Sequence, residues 1–502
     1  MKLDISKVER QQAGAHAWRN KKGIGTLEWV QRFGKTYGAI MFIINPHLEK
    51  AETNNVHIIV PSEIIAKQWH DNLLSFGEYN SRVKVSTASY IGTNQITDEV
   101  TLLVVDELQK FTTPDRKAMI DGTLIKHTYR LGLTGTYPRG VEWIEELYPI
   151  VDTITEEEAI ANNWVSSFIE YNVLLQMSDK DKFRYQQHSA PITETLELFK
   201  GKSWLMMRSP EERLINDDYA LIEACHRGFK TTDLYGHSMY LTYDKICNLL
   251  AFKLGWHTML DITIPENAEL HKTWSPNAIH TRAKNFNNSV RARNEILISS
   301  TIKLHLVGEI VARNQVSTIC FNESTAFADA ICDYVNARFG PNYRAACYHS
   351  KIDSRTMINP ETGDYYKFTT GDRKGLPKIL GKDAIKKIVI EGARNGVYHF
   401  ISTAKALDEG VDIPVIEQVI CTGGTTNPLT YAQRIARGKT IDIYNPDKVT
   451  KIFNLVFDDF VTADGEVVKS RDKTKLAMRQ KLSGNTVHWL HSLDQINMQN
   501  NA

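Results

Sequence analysis

Short apolar runs closed by turn or charged residues recur along the first third of the chain: HIIV at His57–Val60, TLLVV at Thr101–Val105 and RLGLT at Arg130–Thr134. Stretches with helical spacing, such as SEIIAKQWHDNLLSF, lie between them. Strands alternating with helices predict a parallel sheet covered on both faces, because each crossover lays a helix against the sheet. The alternation returns late, with STICF at Ser317–Phe321, YHFIST at Tyr398–Thr403 and QVICT at Gln418–Thr422. From roughly Gln176 to Arg293 the chain is richer in Trp, Tyr and His, and its periodicity is helical. The expected fold class is therefore α/β, two parallel-sheet domains in tandem with a mostly helical insertion between them. The expected boundaries are 1–172 and 298–461 for the sheets, 173–297 for the insertion and 462–502 for a tail containing the basic, helix-prone VVKSRDKTKLAMRQKL.

A length of 502 residues, 42% hydrophobic and 24% charged, fits a folded chain of about three domains. The net charge of +1 supplies no bulk attraction to polyanions, so a nucleic-acid partner has to be met by a local basic groove. Six cysteines occur without a CxxC pair, several in apolar runs, which predicts free thiols in a reducing compartment, no disulfide framework and no zinc site. MKLDISKVERQQ has no apolar core of a leader, and no stretch approaches the ~20 apolar residues of a membrane span. A soluble, cytoplasmic chain with no membrane partner is expected.

WVQRFGKTYGAI, Trp29–Ile40, holds a Gly-Lys-Thr between a strand-like GIGTLEW and a helix-like TYGAIMFII. At such a turn, backbone N–H groups and the helix dipole hold phosphate, a lysine neutralises the β- and γ-phosphates, and a hydroxyl binds Mg²⁺. Lys35 and Thr36 fit those roles, although the first glycine of the full GxxxxGK[ST] pattern would fall at Trp29. About seventy residues on, TLLVVDELQ ends an apolar strand in Asp106-Glu107, an arrangement that supports Mg²⁺ and orients an attacking water.

Taken in order, these motifs resemble those of superfamily 2 DEAD/DEAH-like helicases, which close two RecA-like domains on ATP. QQAGAHAWRNKKGIGTLEWVQRFGKT is similar to the family's glutamine-containing lead and first motif, HIIVPSEIIAKQW to motif Ia, VVDELQ to the acidic box and LGLTGTYPR to motif III. TITEEEAIANNWVSSF resembles the segment that closes the first domain, STICFNEST motif IV, ISTAKALDEGVDIP motif V and TYAQRIARGKT motif VI. The resemblance implies ATP and Mg²⁺ as cofactors. It places Gly34, Lys35, Thr36 and Arg32 on the phosphates, Thr36 and Asp106 on the metal, and Glu107 as the base. Gln433 and Arg437 would reach from the second domain, Gly410 and Asp412 would border the nucleotide, and Thr134 and Thr136 would couple nucleotide state to strand grip. Gln11 fits either adenine recognition or a solvated helix position. Pro61, Ser62, Asn322 and Thr403 would track a phosphate backbone without reading sequence.

Three departures from the family stand out. The phosphate loop carries Arg32 and Phe33 where small residues are usual, the acidic box reads DELQ with Gln109 in the polar coupling position, and motif VI has Ala436 for glycine and Thr440 for its last arginine, with Lys439 adjacent. HTRAKNFNNSVRAR, with Arg282, Lys284, Arg291 and Arg293 around Phe286, reads as a solvated basic helix face before it reads as a strand-binding surface. Trp204, Trp256 and Trp274 read as packing a helical core, and NPETGD as the turn of a surface hairpin.

The compact layout is similar to small phage branched-DNA helicases, which implies an ATP-driven helicase or translocase on branched, forked or single-stranded DNA, in host cytoplasm, with replication or recombination proteins as partners. The alternatives are an RNA helicase, the motor subunit of a restriction-type system, and a DNA-binding protein that senses ATP with little hydrolysis.

Overall fold

The computed structural model describes residues 5–77, 81–202, 217–232, 238–253, 265–357, 359, 362, 364–404, 416–423, 426–442, 445, 447–462, 465–480 and 487–496. The chain forms two compact units, one of residues 1–175, 303–456 and 470–502, the other of residues 176–302 and 457–469. The first holds both large sheets.

The N-terminal sheet contains β1 (Ile24–Trp29), β2 (Val56–Val60), β3 (Val83–Thr87), β4 (Asp98–Asp106), β5 (Ile125–Thr134) and β6 (Ile150–Ile154), in the order β3-β2-β4-β5-β1-β6 with every pair parallel. β2 is buried at all five positions, as a strand covered on both faces must be, which is why it reads as an unbroken apolar run. Each of its fully buried Ile or Val side chains contributes about 1.5–3 kcal/mol. β5 lies between β1 and β4, pairing Glu28 with Thr134 and Asp106 with Leu133, so the ends of these three strands converge at one edge of the sheet.

The second sheet runs, in spatial order, Ala345–His349, Phe400–Ala404, Thr318–Asn322, Gln418–Cys421, Val449–Phe457, Ser167–Leu175 and Val487–Leu490. Two of its seven strands lie outside the stretch 298–461. Ser167–Leu175, which begins inside the segment expected to close the first domain and crosses the expected boundary at 172, sits in the second sheet, and the tail supplies the edge strand parallel to it. The reason is a buried polar cluster that reading apolar runs does not detect. Glu170 is fully buried and accepts hydrogen bonds from Asn454 Nδ2 at 2.8 Å and from the side chains of Tyr431 and Gln480. A buried carboxylate is tolerable only with such donors around it, and here they come from three separate stretches of chain.

The other unit is mainly helical, with Asp179–Phe199 packed along Pro276–Ile298. It also contains an antiparallel pair, Phe229–Thr232 with Ser238–Leu241, which the helical reading of this region omitted. Trp274 and Phe286 lie in its apolar core, Trp274 against Phe199 at 5.7 Å and Phe286 against Tyr219 at 5.7 Å. Phe286 therefore serves packing. Trp204 and Trp256 lie outside the described residues.

Trp29, where the phosphate-loop pattern asks for glycine, is fully buried under the N-terminal helix Ile5–Asn20. The close approach is possible because Gly14 and Gly38 face its ring: a Cβ at these positions would come within 2.4 Å and 2.8 Å of it. Gly14→Ala gains about 1 kcal/mol of helix propensity but forces a clash with a ring that cannot retreat, costing about 1–3 kcal/mol. The expected net is a loss of stability of up to about 2 kcal/mol, read as a lower urea midpoint at unchanged slope.

Candidate functional site

The loop after β1 leads into a helical run from Lys35 to Lys50 that contains one wider π turn at Ile40–Ile44. Gly34 precedes it at φ +97°, a conformation that favours glycine. Arg32 is also left-handed, at φ +69°, which turns neighbouring side chains to opposite sides. Phe33 goes inward and meets Trp29 and Trp164 edge-on, at 5.3 Å from each, while Arg32 lines the cavity. Of the two large residues that depart from the small-residue pattern, Phe33 is thus absorbed into the core and Arg32 is turned to the cavity.

Gln11 is buried, and its Nε2 donates to Phe33 O at 3.0 Å and Gly34 O at 3.3 Å. The solvated-helix alternative for Gln11 does not hold. Its amide fastens the N-terminal helix to the phosphate loop, and a Cβ on Gly34 would come within 2.8 Å of that nitrogen.

Lys35 Nζ donates to Trp29 O at 3.1 Å. Burial pushes the Lys35 ammonium pKa down, opposed by the nearby Glu107 and Asp106 and assisted by Arg32. Asp106, at the end of β4, accepts from Trp69 Nε1 at 2.8 Å and from the Glu107 N–H at 2.9 Å. Burial, then the adjacent Glu107, raises the Asp106 carboxyl from 3.8 to about 6 against the pull of Trp69 and Lys35. Glu107 has φ +53°, an uncommon conformation for a side-chain-bearing residue, and its carboxylate accepts from Gln109 Nε2. Gln109 in turn accepts from Thr134 Oγ1 at 2.6 Å, and Thr134 Oγ1 accepts from the Thr136 N–H at 3.0 Å. The DELQ glutamine thus joins the acidic pair to the Thr134-Gly135-Thr136 turn.

A raised carboxyl pKa has a defined consequence for stability. The unliganded fold is favoured most below about pH 3.8, and that contribution is lost as pH rises through about 6, where Asp106 must ionise in a buried place. Asp106→Asn removes the ionisation. The thermal midpoint of Asp106→Asn without nucleotide is expected to exceed that of the parent at about pH 8, with the gap shrinking towards about pH 4. An unchanged gap across this range contradicts the buried-charge account.

From the second sheet, the helix Pro428–Ile435 and the turn after it bring Gln433 and Arg437, both buried, to the same place. Lys35, Thr36, Asp106, Glu107, Gln433 and Arg437 line one cavity of about 230 Å³. Gln433 Oε1 is buried with no hydrogen-bond partner among the described residues. The neighbouring cations are occupied differently: Arg434 pairs with Glu323 at 3.1 Å, and Lys439 pairs with Glu156 and lies 4.3 Å from the Phe168 ring centroid. Lys439, beside the position where the family has its last arginine, joins the two sheets through Glu156.

The remaining expected residues divide. Thr134 and Thr136 adjoin the acidic pair as described. Pro61 and Ser62 are partly exposed at the end of β2, and Ser62 Oγ has no hydrogen-bond partner among the described residues. Asn322 and Thr403, expected on a phosphate track, are fully buried. Asn322 Nδ2 donates to Ser402 Oγ at 3.1 Å and to Thr403 O at 3.3 Å, which makes it an internal brace between adjacent strands. Neither side chain reaches the surface in this conformation. Gly410 and Asp412 lie outside the described residues.

Two contributors escaped the sequence reading. Trp69 donates to Asp106, and Tyr431 anchors the Gln433 helix to Glu170. Trp69 gave a usable signal: it falls on the apolar stripe Ile65, Ala66, Trp69 and Leu73, and a core tryptophan needs an acceptor for its N–H. Glu170 gave none.

Residues 380–439 match the helicase conserved C-terminal domain family. No curated protein matches the sequence. Solved structures that resemble the chain include the Pyrococcus furiosus Hef helicase domain, at 14% identity and TM-score 0.48 over 96% of this chain and 100% of that one. Another is S. cerevisiae Dbp5 bound to RNA and ADP BeF3, at 12% identity and TM-score 0.48 over 98% of this chain and 92% of that one.

Proposed function

We propose that this chain is an ATP-dependent nucleic-acid motor of the superfamily 2 helicase type, with two RecA-like domains, acting on branched or forked DNA. The observation that carries the reading is the single cavity reached by a lysine and two carboxylates from one sheet and by a glutamine and an arginine from the other. The helicase C-terminal match over 380–439, which contains Gln433 and Arg437, supports it. The preference for DNA, and a role in replication, recombination or repair, rest on the likeness of the sequence to small phage branched-DNA helicases.

The donor set suits a magnesium nucleotide: a buried cation, two adjacent carboxylates, a hydroxyl and a buried amide oxygen that has no partner among the described residues. Thr36 and Asp106 would hold Mg²⁺, whose chemistry is to neutralise charge on the phosphates. Lys35 would exchange its contact with Trp29 O for a phosphate oxygen, and Arg32 adds positive charge at the rim. Glu107 accepts a proton from water, positioned through Gln109 and Thr134. Arg437 stabilises negative charge that grows as the phosphoryl group transfers, so turnover depends on the two sheets standing together. Because a protonated Asp106 loses its hold on a cation, Mg²⁺-dependent nucleotide affinity is expected to fall as pH drops through about 6. Titration of a fluorescent ATP analogue over that range, with and without Mg²⁺, checks it.

ATP turnover measured side by side with single-stranded, duplex, forked and four-way DNA, and with RNA, tests the assignment. Strongest stimulation by forked or four-way DNA is expected. Stimulation by RNA alone transfers the reading to an RNA helicase. Binding of ATP with no turnover on any nucleic acid, equal in the parent and Glu107→Gln, replaces the motor with an ATP sensor.

A further inference from the structure

We propose that Asp329, Cys332, Cys347 and His349 form a binding site for a divalent cation of the zinc class at the outer edge of the second sheet. The helix Thr325–Phe339 carries Asp329 and Cys332 three residues apart, on one face. The edge strand Ala345–His349 carries Cys347 and His349 two residues apart, which a strand also turns to one face. Helix and strand pack together, and the two pairs meet.

Donor atoms of Asp329, Cys347 and His349 lie within 4.8 Å of one another. His349 Nε2 is 2.9 Å from Asp329 Oδ1, and the Cys347 thiol donates to Ala328 O at 3.5 Å, a contact that a bound cation replaces. Zinc bonds of about 2.3 Å to sulfur and about 2.0 Å to nitrogen put tetrahedral ligands roughly 3.3–3.8 Å apart, so side-chain adjustments of about 1 Å bring Asp329, Cys347 and His349 onto one ion, and Cys332, on the same cavity, turns in as the fourth ligand. Two sulfurs, an imidazole and a carboxylate favour zinc over magnesium or calcium, which take oxygen ligands.

Three of the four side chains are buried, and Asp329, about half exposed, stands at the mouth. A cavity of about 250 Å³ reaches all four, giving an entry path, and Arg355 and Met357 at the base of the Ser354–Lys382 excursion line it too. Asn336 Nδ2 stands 3.6 Å from Cys332 Sγ, where it can support a thiolate. The geometry shows one cost. The Lys351 N–H faces His349 Nδ1 at 3.3 Å, and a metal on Nε2 moves the imidazole proton to Nδ1, so that contact must open. Hydrogen bonding to Cys332, then burial, raises the Cys347 thiol above its ordinary pKa, so a cation binds only by displacing its proton. The absence of any CxxC hid this site, because its ligands pair by helix and strand geometry on two separate elements.

The test uses the full chain, reduced and stripped with a chelator, then titrated with Co²⁺ and afterwards Zn²⁺. The expected result is a thiolate-to-cobalt charge-transfer band saturating at one ion per chain, abolished on addition of Zn²⁺, with proton release in weak buffer. His349→Gln and Cys347→Ser are expected to lose the band, and Cys225→Ser in the helical unit to keep it. Asp329→Asn, at the exposed rim, leaves the interior intact and is expected to weaken Co²⁺ binding at least about tenfold; it serves if Cys347→Ser does not fold. No charge-transfer band in the reduced parent overturns the site, as does a band of unchanged affinity in His349→Gln and Asp329→Asn. A Cys332–Cys347 disulfide that persists under reductant with no metal bound does so as well.

Discussion

Glu107→Gln is expected to lower nucleic-acid-stimulated ATP turnover by about 10²- to 10⁴-fold, the usual contribution of a positioned general base, while leaving ATP affinity nearly unchanged. The substitution keeps the side chain's shape and an oxygen for the Gln109 amide, which Glu107 already accepts from. It removes only the ability to take a proton. Glu107 sits at φ +53° at the end of β4, so its position is set by the strand and by the Gln109–Thr134 chain rather than by its own charge. The fold should therefore tolerate the change, and the thermal midpoint is expected not to fall, since the charge that raises the Asp106 pKa is removed. Turnover at saturating ATP and forked DNA, compared with equilibrium ATP binding, separates the two effects. A variant that turns over within about twofold of the parent removes Glu107 from the chemistry.

Arg437→Lys is expected to cost about 10³- to 10⁵-fold in turnover if the guanidinium acts as an arginine finger. Lysine keeps the charge but lacks the planar fork and the reach that carries it. The contrast with Lys439 sharpens the point. Lys439 is committed to Glu156 and the Phe168 ring, outside the cavity, so Lys439→Ala should change stability more than the chemical step. Equal turnover losses in the two variants would mean that the motif VI cations act through packing.

Much of the fold was legible because covered parallel strands write continuous apolar runs. β2 and the stretch Thr318–Asn322, both fully buried, are examples. The places where the reading slipped are those where polar side chains do the packing. Glu170 draws Ser167–Leu175 into the second sheet through Asn454, Tyr431 and Gln480, which lie far from it in sequence. The strand Val487–Leu490 pairs with it at the sheet edge and, at four residues, is too short for its alternation to be read. At the candidate site, Lys35, Asp106 and Glu107 were visible because their chemistry requires a strand-to-helix turn and a strand end, and both leave local patterns. Trp29 and Phe33 looked foreign to a phosphate loop, yet the backbone turn depends on Gly34 and on the left-handed Arg32, and the aromatic rings face the core. That the Asn322 and Thr403 side chains are buried could not be read, because order along the chain does not say which face a residue takes.

The central claim is that the two sheets share one triphosphate, and a double-variant cycle tests it directly. Binding of ADP with aluminium fluoride, a mimic of the transferring phosphoryl group, is measured for the parent, Lys35→Ala, Arg437→Ala and the pair. The account predicts strong non-additivity, a coupling of at least about 1 kcal/mol, with the double variant binding little worse than the weaker single one. Losses that simply add, or an Arg437→Ala variant that binds like the parent, would contradict it.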